Sequence, residues 1–332
     1  MRSDSDLSFG VIGLGAVGSR VARQLIESGC SVIAHDSDPT AFTSLRGLDK
    51  CTFSETIDSF SDTSCHSVIL CAPAPHNSLA TTFLERGLDV VSVSDDPDDV
   101  RALIALDERA RENGIRLIAG AAASPGMTGL LAAELALRFD TVDEIHVAFH
   151  GTGGPSCARQ HHRALGADAI GWHDDEWIER PGGSGRELLW FPEPVGGKDC
   201  YRAQLADPIV LKRAFPEVER ISARVSATRR DRLTARLPMM SPPHAEGGLG
   251  GLRVEVRGSR DGRRVTEVAG IAERTAVIAA SVAASVADHL SRCERSRSGV
   301  IALGDGTLDD VALVTAVIER DIRVFEYVGV SD

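Results

Sequence analysis

The sequence predicts an α/β protein: a Rossmann-type doubly wound parallel sheet, then a second α+β domain with a mainly antiparallel sheet. Three observations carry this. Between residues 9 and 119 short apolar runs alternate with helical patterns, as parallel strands joined by crossover helices do. A GxGxxG turn stands between the first run and the first helix. From about Val142 the apolar residues switch to a period of two, and a DG turn joins two long alternating runs.

The first run, FGVIG, leads into LGAVGSRVARQLIESG. Gly13, Gly15 and Gly18 carry the glycine spacing with Ala16 and Val17 between them, and Val17, Val21, Leu25 and Ile26 give the following helix an apolar side. In that setting the first glycine permits a tight turn and the second lets a pyrophosphate approach the backbone. The third lets helix and strand pack closely, and amides at the helix start face the phosphates. The next run, CSVIAHD, ends in Asp36, at the spacing that suits an acid bound to the adenosine ribose. Its charge repels the extra phosphate of NADP, and Ser37, Asp38 and Pro39 bring no cation. NAD is therefore the expected cofactor, ahead of NADP.

HSVILCAPAP is a strand that leaves through a proline-stiffened loop, with Cys71, Ala72 and Pro73 along the cofactor. His76 either meets the nicotinamide ribose or merely precedes a helix. NSLATTFLERG is that helix, closed by Gly87, and LDVVSVSDD is a strand. One helix is then expected from Asp96, its cap, to Gly114, with Pro97 in the first turn and Asp98 and Asp99 complementing its dipole. IRLIAGAA is the next strand.

In VDEIHVAFH, Val142, Ile145, Val147 and Phe149 call for burial, while His146 and His150 share another face. With no companion carboxylate or cysteine in view, these histidines are expected to be solvated or satisfied in the core, and no metal is expected. LRVEVRGSRDGRRVTEVAG is a hairpin, and RVSATRRDR at 224–232 a solvated strand edge. ERTAVIAASVAASVADHL is a helix with a narrow face of Val277, Ile278, Ser281, Val282, Ser285 and Val286, suited to packing back on the first domain. A last helix, LDDVALVTAVIERD, and a last strand, IRVFEYVGV, point to docking or a subunit contact, and a homodimer is expected. The expected division is 1–123 for the dinucleotide, 124–272 for substrate, and 273–332 returning to the first domain.

The chain has 332 residues and no apolar stretch approaching the roughly 18 of a membrane span. MRSDSDLS lacks a leader pattern, so a cytoplasmic protein is expected. Seven cysteines without a CxxC pair argue against a disulfide framework or a zinc cluster. A formal charge of −12 disfavours nucleic acid and anionic membranes as partners.

The glycine fingerprint, the CAPAPHN loop, VVSVSDD and above all AGAAASPGMTGLLA together resemble the saccharopine dehydrogenase and reductase family, with its lysine and carboxynorspermidine dehydrogenases. LLWFPEPVGGKDCYRAQLADPIVLKRAFPEVERI at 188–221 is similar to a stretch of its smaller reductase-like members. The resemblance implies a split nucleotide domain and hydride exchange between a nicotinamide and a carbon bearing nitrogen. IGLGAVGSRVA is also similar to hydroxyacid dehydrogenases of the phosphogluconate type. Those usually continue into an all-helical domain, which the alternating strands after residue 142 oppose.

IAGAAASPGMTGL at 118–130 is expected to bring backbone close to the nicotinamide and a small amino-acid-like substrate. Ser124, Pro125, Gly126 and Met127 open a helix whose amides suit a substrate carboxylate, though Ser124 also suits a plain N-cap and Pro125 a first turn. In GPSCARQHHRALG, read as a loop, Arg159 suits a carboxylate clamp, and His161 or His162 a proton carrier near neutral pH. Lys198 and Tyr201 are weaker candidates. The preferred function is a dehydrogenase acting on a CH–NH bond. A non-redox enzyme using bound NAD for transient oxidation, or a sensor of NAD redox state, stays open.

Overall fold

The first sheet is built from strands that are apolar on both faces. β1 (Ser8–Ile12), β2 (Ser31–His35), β3 (Cys51–Phe53), β4 (Ser67–Leu70), β5 (Asp89–Ser92) and β6 (Arg116–Ala119) are all parallel, and β4, β5 and β6 are buried at every residue. Such strands need cover on two sides. Helices α1 (Gly18–Glu27), α2 (Asn77–Glu85), α3 (Pro97–Ile104) and α4 (Asp107–Glu112) provide part of it. The order β3-β2-β1-β4-β5-β6 reverses between β1 and β4, and a crevice opens at the carboxyl ends beside that point. The structure, a computed structural model, describes residues 7–239, 242–293 and 297–327. Most of MRSDSDLS and the end of the last expected strand, 328–330, lie outside them.

The single helix expected over 96–114 is two. Asp96 caps α3 as expected, accepting from the amides of Asp98 and Asp99. The helix then stops at Ala105, and α4 restarts at Asp107, whose Oδ1 accepts from the Val300 amide at 2.7 Å and pairs with Arg213. The break thus turns Asp107 toward a strand from the far end of the chain.

α5 (Met127–Ala136) leads into the second sheet, whose elements are β7 (Thr141–His150), α6 (Pro155–Gly166), β8 (Ala169–His173), β9 (Glu176–Arg180), β10 (Glu187–Phe191), β11 (Gly196–Arg202), α7 (Asp207–Ala214), β12 (Arg220–Ser226), α8 (Arg229–Thr234), β13 (Leu249–Arg260) and β14 (Arg263–Arg274). All pairings are antiparallel except β12 with β7. Asp261 and Gly262 both have positive φ, the turn that fits hairpin twist, so the DG signal is placed as expected. Ile145, Val147 and Phe149 are buried with Leu252, Val254 and Val256 against Leu130 and Leu131 of α5.

The other face of this sheet differs from expectation in two places. Glu144 sits two residues before His146 on the same face, and its Oε2 lies 2.8 Å from His146 Nε2, so that histidine does have a companion carboxylate. Burial lowers the pKa of His146, which favours the neutral ring. The run 224–232 is no strand edge: β12 lies between β11 and β7, Arg224 pairs with Glu187, and Arg232 lies 4.2 Å from the centre of the Tyr201 ring.

α9 (Thr275–Arg292) returns to the first domain, where its alanines, valines and serines let it lie close against α1, and Ser281 accepts from Gln24. β15 (Gly299–Ile301) then joins the first sheet beside β6, α10 (Asp310–Ile318) packs on α5 and α9, and β16 (Val324–Glu326) pairs with β14. The segment after residue 273 therefore serves both sheets, and one apolar cluster runs through Val21, Val282, Leu130 and Val254. Among the described residues no helix is long and apolar enough to cross a membrane.

One buried ion pair ties α9 to the sheet. Arg116 on β6 bonds Asp89 on β5 through Nε at 3.0 Å and a terminal nitrogen at 2.6 Å, and that nitrogen also donates to the Leu290 carbonyl. Both side chains are almost fully buried. Arg116→Ala leaves a buried carboxylate unpaired and is expected to cost about 3–5 kcal/mol. Urea unfolding measures this, and an Asp89→Leu/Arg116→Met pair should recover most of it.

Candidate active site at the strand ends

The crevice starts where the turn after β1 meets the end of β4. Gly13 has a φ of +92°, and a Cβ there would stand 2.3 Å from the Ala72 nitrogen. A Cβ on Gly18 would stand 1.8 Å from the Gly13 carbonyl oxygen. Gly15 is different, because a Cβ there meets nothing within 4 Å. Two glycines therefore serve the fold and one leaves space for a ligand, as a pyrophosphate requires. At the end of β2, the Asp36 carboxylate accepts from the Leu14 amide at 2.6 Å and the Asp38 amide at 2.8 Å, which fixes it beside the glycine turn.

A cavity of about 390 Å³ runs from these residues along the strand ends. Ala16, Val17, Ser37, Cys71, Ala72 and Pro73 line its first part, Val93, Ser94 and Asp95 follow after β5, and Ala122, Ala123 and Ser124 after β6. Phe149, Cys157, Arg159 and His161 of the second domain close it from the other side, with Thr275 of α9.

His76 does not take part. It is fully buried, with Nδ1 2.8 Å from Ser92 Oγ and Nε2 2.7 Å from the Ala72 carbonyl, while its amide donates to Asp99. It props the CAPAP loop from beneath and does not reach toward a ribose.

The segment 118–130 also differs from expectation. Its glycines serve close approach of the chain to itself: Gly120 lies under Pro125, and a Cβ on Gly126 would stand 2.4 Å from the Ala122 carbonyl oxygen. Gly126, with a φ of +127°, is the residue before the helix, so Ser124 is no N-cap and Pro125 lies outside the first turn. The amides of Met127, Thr128 and Gly129 are taken by the carbonyls of Ala122, Ala123 and Gly126, so these three do not face a substrate carboxylate. Pro125, Gly126 and Met127 are buried, and only Ser124 lines the cavity. Its hydroxyl donates to Asp207 Oδ2 at 2.6 Å, and Thr128 donates to Oδ1 at 2.8 Å. Burial pushes the pKa of Asp207 up to about 6 against the pull of those hydroxyls, with Asp95 adding to the rise.

Residues 155–166 are helix α6 rather than a loop, started by Gly154 with Pro155 in the first turn. That changes which side chains point where. Cys157 and His161, four apart, share the face toward the cavity, and Arg159 is exposed at its rim. His162 turns away to the Leu237 carbonyl at 2.8 Å and lines a neighbouring cavity of about 820 Å³ with Lys198. Tyr201 is buried beneath Arg232.

His161 is the polar centre of the second-domain wall of the cavity. Its Nε2 lies 3.7 Å from Cys157 Sγ and 3.9 Å from Asp95 Oδ2, and its ring packs edge-on to Phe149 at 5.2 Å. Burial lowers its pKa below the usual 6.5, against the opposing pull of Asp95 and the Gly151 carbonyl. Burial, reinforced by Asp95, pushes the Cys157 thiol far up, so it is protonated at neutral pH. The ligand atoms of Asp95, Cys157 and His161 all lie within 4.8 Å of one another, close enough to share a proton or hold a cation.

Asp95, Cys157 and Asp207 are absent from the sequence-based candidates. Asp95 was accessible, since it follows the strand VVSVS at the edge where doubly wound sheets bind ligands. The Cys157–His161 spacing carries a signal only once the segment is known to be helical.

The family model describing the NAD binding domain of 6-phosphogluconate dehydrogenase matches residues 8–135. That is the second of the two likenesses carried by the glycine fingerprint, and it ends before the second sheet. No curated protein matches the sequence. Among solved structures, C. glutamicum DAP dehydrogenase in complex with DAP is similar with a TM-score of 0.52 at 14% identity, over 96% of this chain and 99% of that one. An engineered D-amino acid dehydrogenase bound to NADP+ gives 0.53 at 14% identity, over 95% and 99%. The chain thus shares the fold of these two dehydrogenases, and its residues 8–135 match a model of an NAD binding domain. The residues present fit such a cofactor, because the position of the Gly15 Cβ opens into the cavity.

The two kinds of glycine separate by mutation. Gly15→Val should fold with near-normal thermal stability and lose dinucleotide binding in a fluorescence titration, whereas Gly18→Val should lose stability outright because its side chain meets backbone. Normal cofactor binding by Gly15→Val would refute the assignment.

Proposed function

We propose that this protein is an NAD-dependent dehydrogenase that acts on the CH–NH bond of a small amino-acid-like substrate. The observation that carries the proposal is the continuity of one cavity from Gly15 and Asp36 to His161, Asp95 and Arg159. The resemblance to saccharopine-type reductases points to the same bond. DAP dehydrogenase and the engineered D-amino acid dehydrogenase, which share the fold, are also named for amino acids.

A bound nicotinamide supplies a two-electron hydride acceptor or donor. The chain's own groups then manage the proton and the orientation. When an amine is oxidised to an imine, the carbon gives up a hydride and the nitrogen a proton. Neutral His161 takes that proton at Nε2, and Asp95 favours the resulting imidazolium. In the reverse direction the imidazolium returns it. Arg159 at the rim meets a substrate carboxylate with its planar fork, and Phe149 walls the ring of His161 from water.

Asp36 favours NAD, since its fixed carboxylate faces the place of the NADP phosphate with only Ser37, Asp38 and Pro39 behind it. Asp36→Ser should narrow the NAD preference by about 1–3 kcal/mol in paired titrations. Equal or tighter NADP binding by the unaltered protein would sink that part of the proposal.

Nicotinamide absorbance, followed across a panel of amino acids and of 2-oxo acids with amines, tests the reaction itself. No change with any member would reject it. With chelator-treated protein, kcat/KM for amine oxidation should hold at neutral pH and fall as acid protonates His161 below 6.5. His161→Asn should lower kcat by roughly 10²–10⁴-fold and remove that limb. Arg159→Ala should mainly raise KM.

A further inference from the structure

We propose that Asp95, Cys157 and His161 form a binding site for a divalent cation of the zinc type, set where the two domains meet. The proposal rests on the donor set and its geometry and goes beyond the dehydrogenase assignment. Asp95 follows β5 of the first sheet, while Cys157 and His161 stand one turn apart on α6 of the second domain. An ion held by all three would bridge the cleft.

Zinc bonds of about 2.0–2.2 Å to nitrogen and oxygen and about 2.3 Å to sulfur, at tetrahedral angles, place neighbouring donors roughly 3.3–3.7 Å apart. Here Nε2 to Sγ is 3.7 Å, Nε2 to Asp95 Oδ2 is 3.9 Å, and the whole trio fits within 4.8 Å. Small side-chain rotations close the set. Thiolate with imidazole selects zinc-class ions, whereas magnesium and calcium take oxygen donors. The ion displaces the Cys157 proton to solvent on binding, and the resulting thiolate and the carboxylate together balance a divalent charge. Among the described residues no Lys or Arg pairs with Asp95, so no protein cation already fills that role.

Three protein donors leave a fourth position, and all three residues line the open cavity. That is the pattern of an exchangeable site rather than a closed structural one. His161 Nε2 has a single lone pair, so holding the ion and accepting the substrate proton exclude each other. Metal binding is read without turnover, and its failure leaves the dehydrogenase assay untouched.

Chelator-stripped protein titrated with Co²⁺ should saturate at one equivalent, with visible bands of a tetrahedral ion and a near-ultraviolet thiolate band that Zn²⁺ abolishes and Mg²⁺ does not. Cys157→Ser should lose the thiolate band. Asp95→Asn and His161→Asn should each weaken binding by at least about tenfold, with thermal unfolding as the check on folding. Cys293→Ser should leave the spectrum unchanged, because it removes a separate Cys293–His289 pair that is 3.3 Å apart near the surface. Absence of the bands, their persistence in both Cys157→Ser and His161→Asn, or their loss in Cys293→Ser would overturn the proposal.

Discussion

The crevice depends on one backbone contact, the approach of the Gly13 peptide to the Ala72 peptide at the point where the strand order reverses. A side chain on Gly13 would separate β1 from the end of β4. Because Gly18 fits equally tightly against the Gly13 carbonyl, α1 starts directly against the turn. The position of α1 then sets that of α9, which packs along it, and α9 in turn carries Thr275 to the cavity. A contact between three short peptides thus propagates to the far wall of the site.

Features that depend on local spacing were legible in the sequence. The cap at Asp96 and the DG hairpin each involve residues a few positions apart and stand where expected, and the glycine turn and the acid after the second strand, set by a fixed motif spacing, lie side by side through the Leu14 amide. What was not legible depends on distant partners. For His76 the sequence left open a ribose contact or a place just before a helix; it holds the second, and Ser92 and the Ala72 carbonyl, which occupy its ring, cannot be inferred from CAPAPHN alone. The small residues of 118–130 suggested an approaching ligand; Gly120 and Gly126 instead make room for the segment's own Pro125 and the Ala122 carbonyl, while Ala122, Ala123 and Ser124 do line the cavity. In 151–166 the glycines masked a helix start, although Gly154 followed by Pro155 is also a start signal.

Charge is distributed unusually for a site expected to take anions. Asp36 and Asp95 stand toward the two ends of the cavity, and among the described residues neither pairs with a Lys or Arg. With a chain charge of −12, long-range attraction contributes little to capturing a phosphate or carboxylate. Under the proposed function, directed amides at the glycine turn and the exposed fork of Arg159 supply selectivity at short range.

The last strand of the first sheet comes from residues 299–301, and the cover over α1 from 275–292. During synthesis the growing chain therefore holds β6 as an uncovered edge while the entire second domain is being made. Leu117 and Ile118, buried in the finished protein, stay within reach of other chains for that interval. The first domain is first in sequence but among the last parts to close.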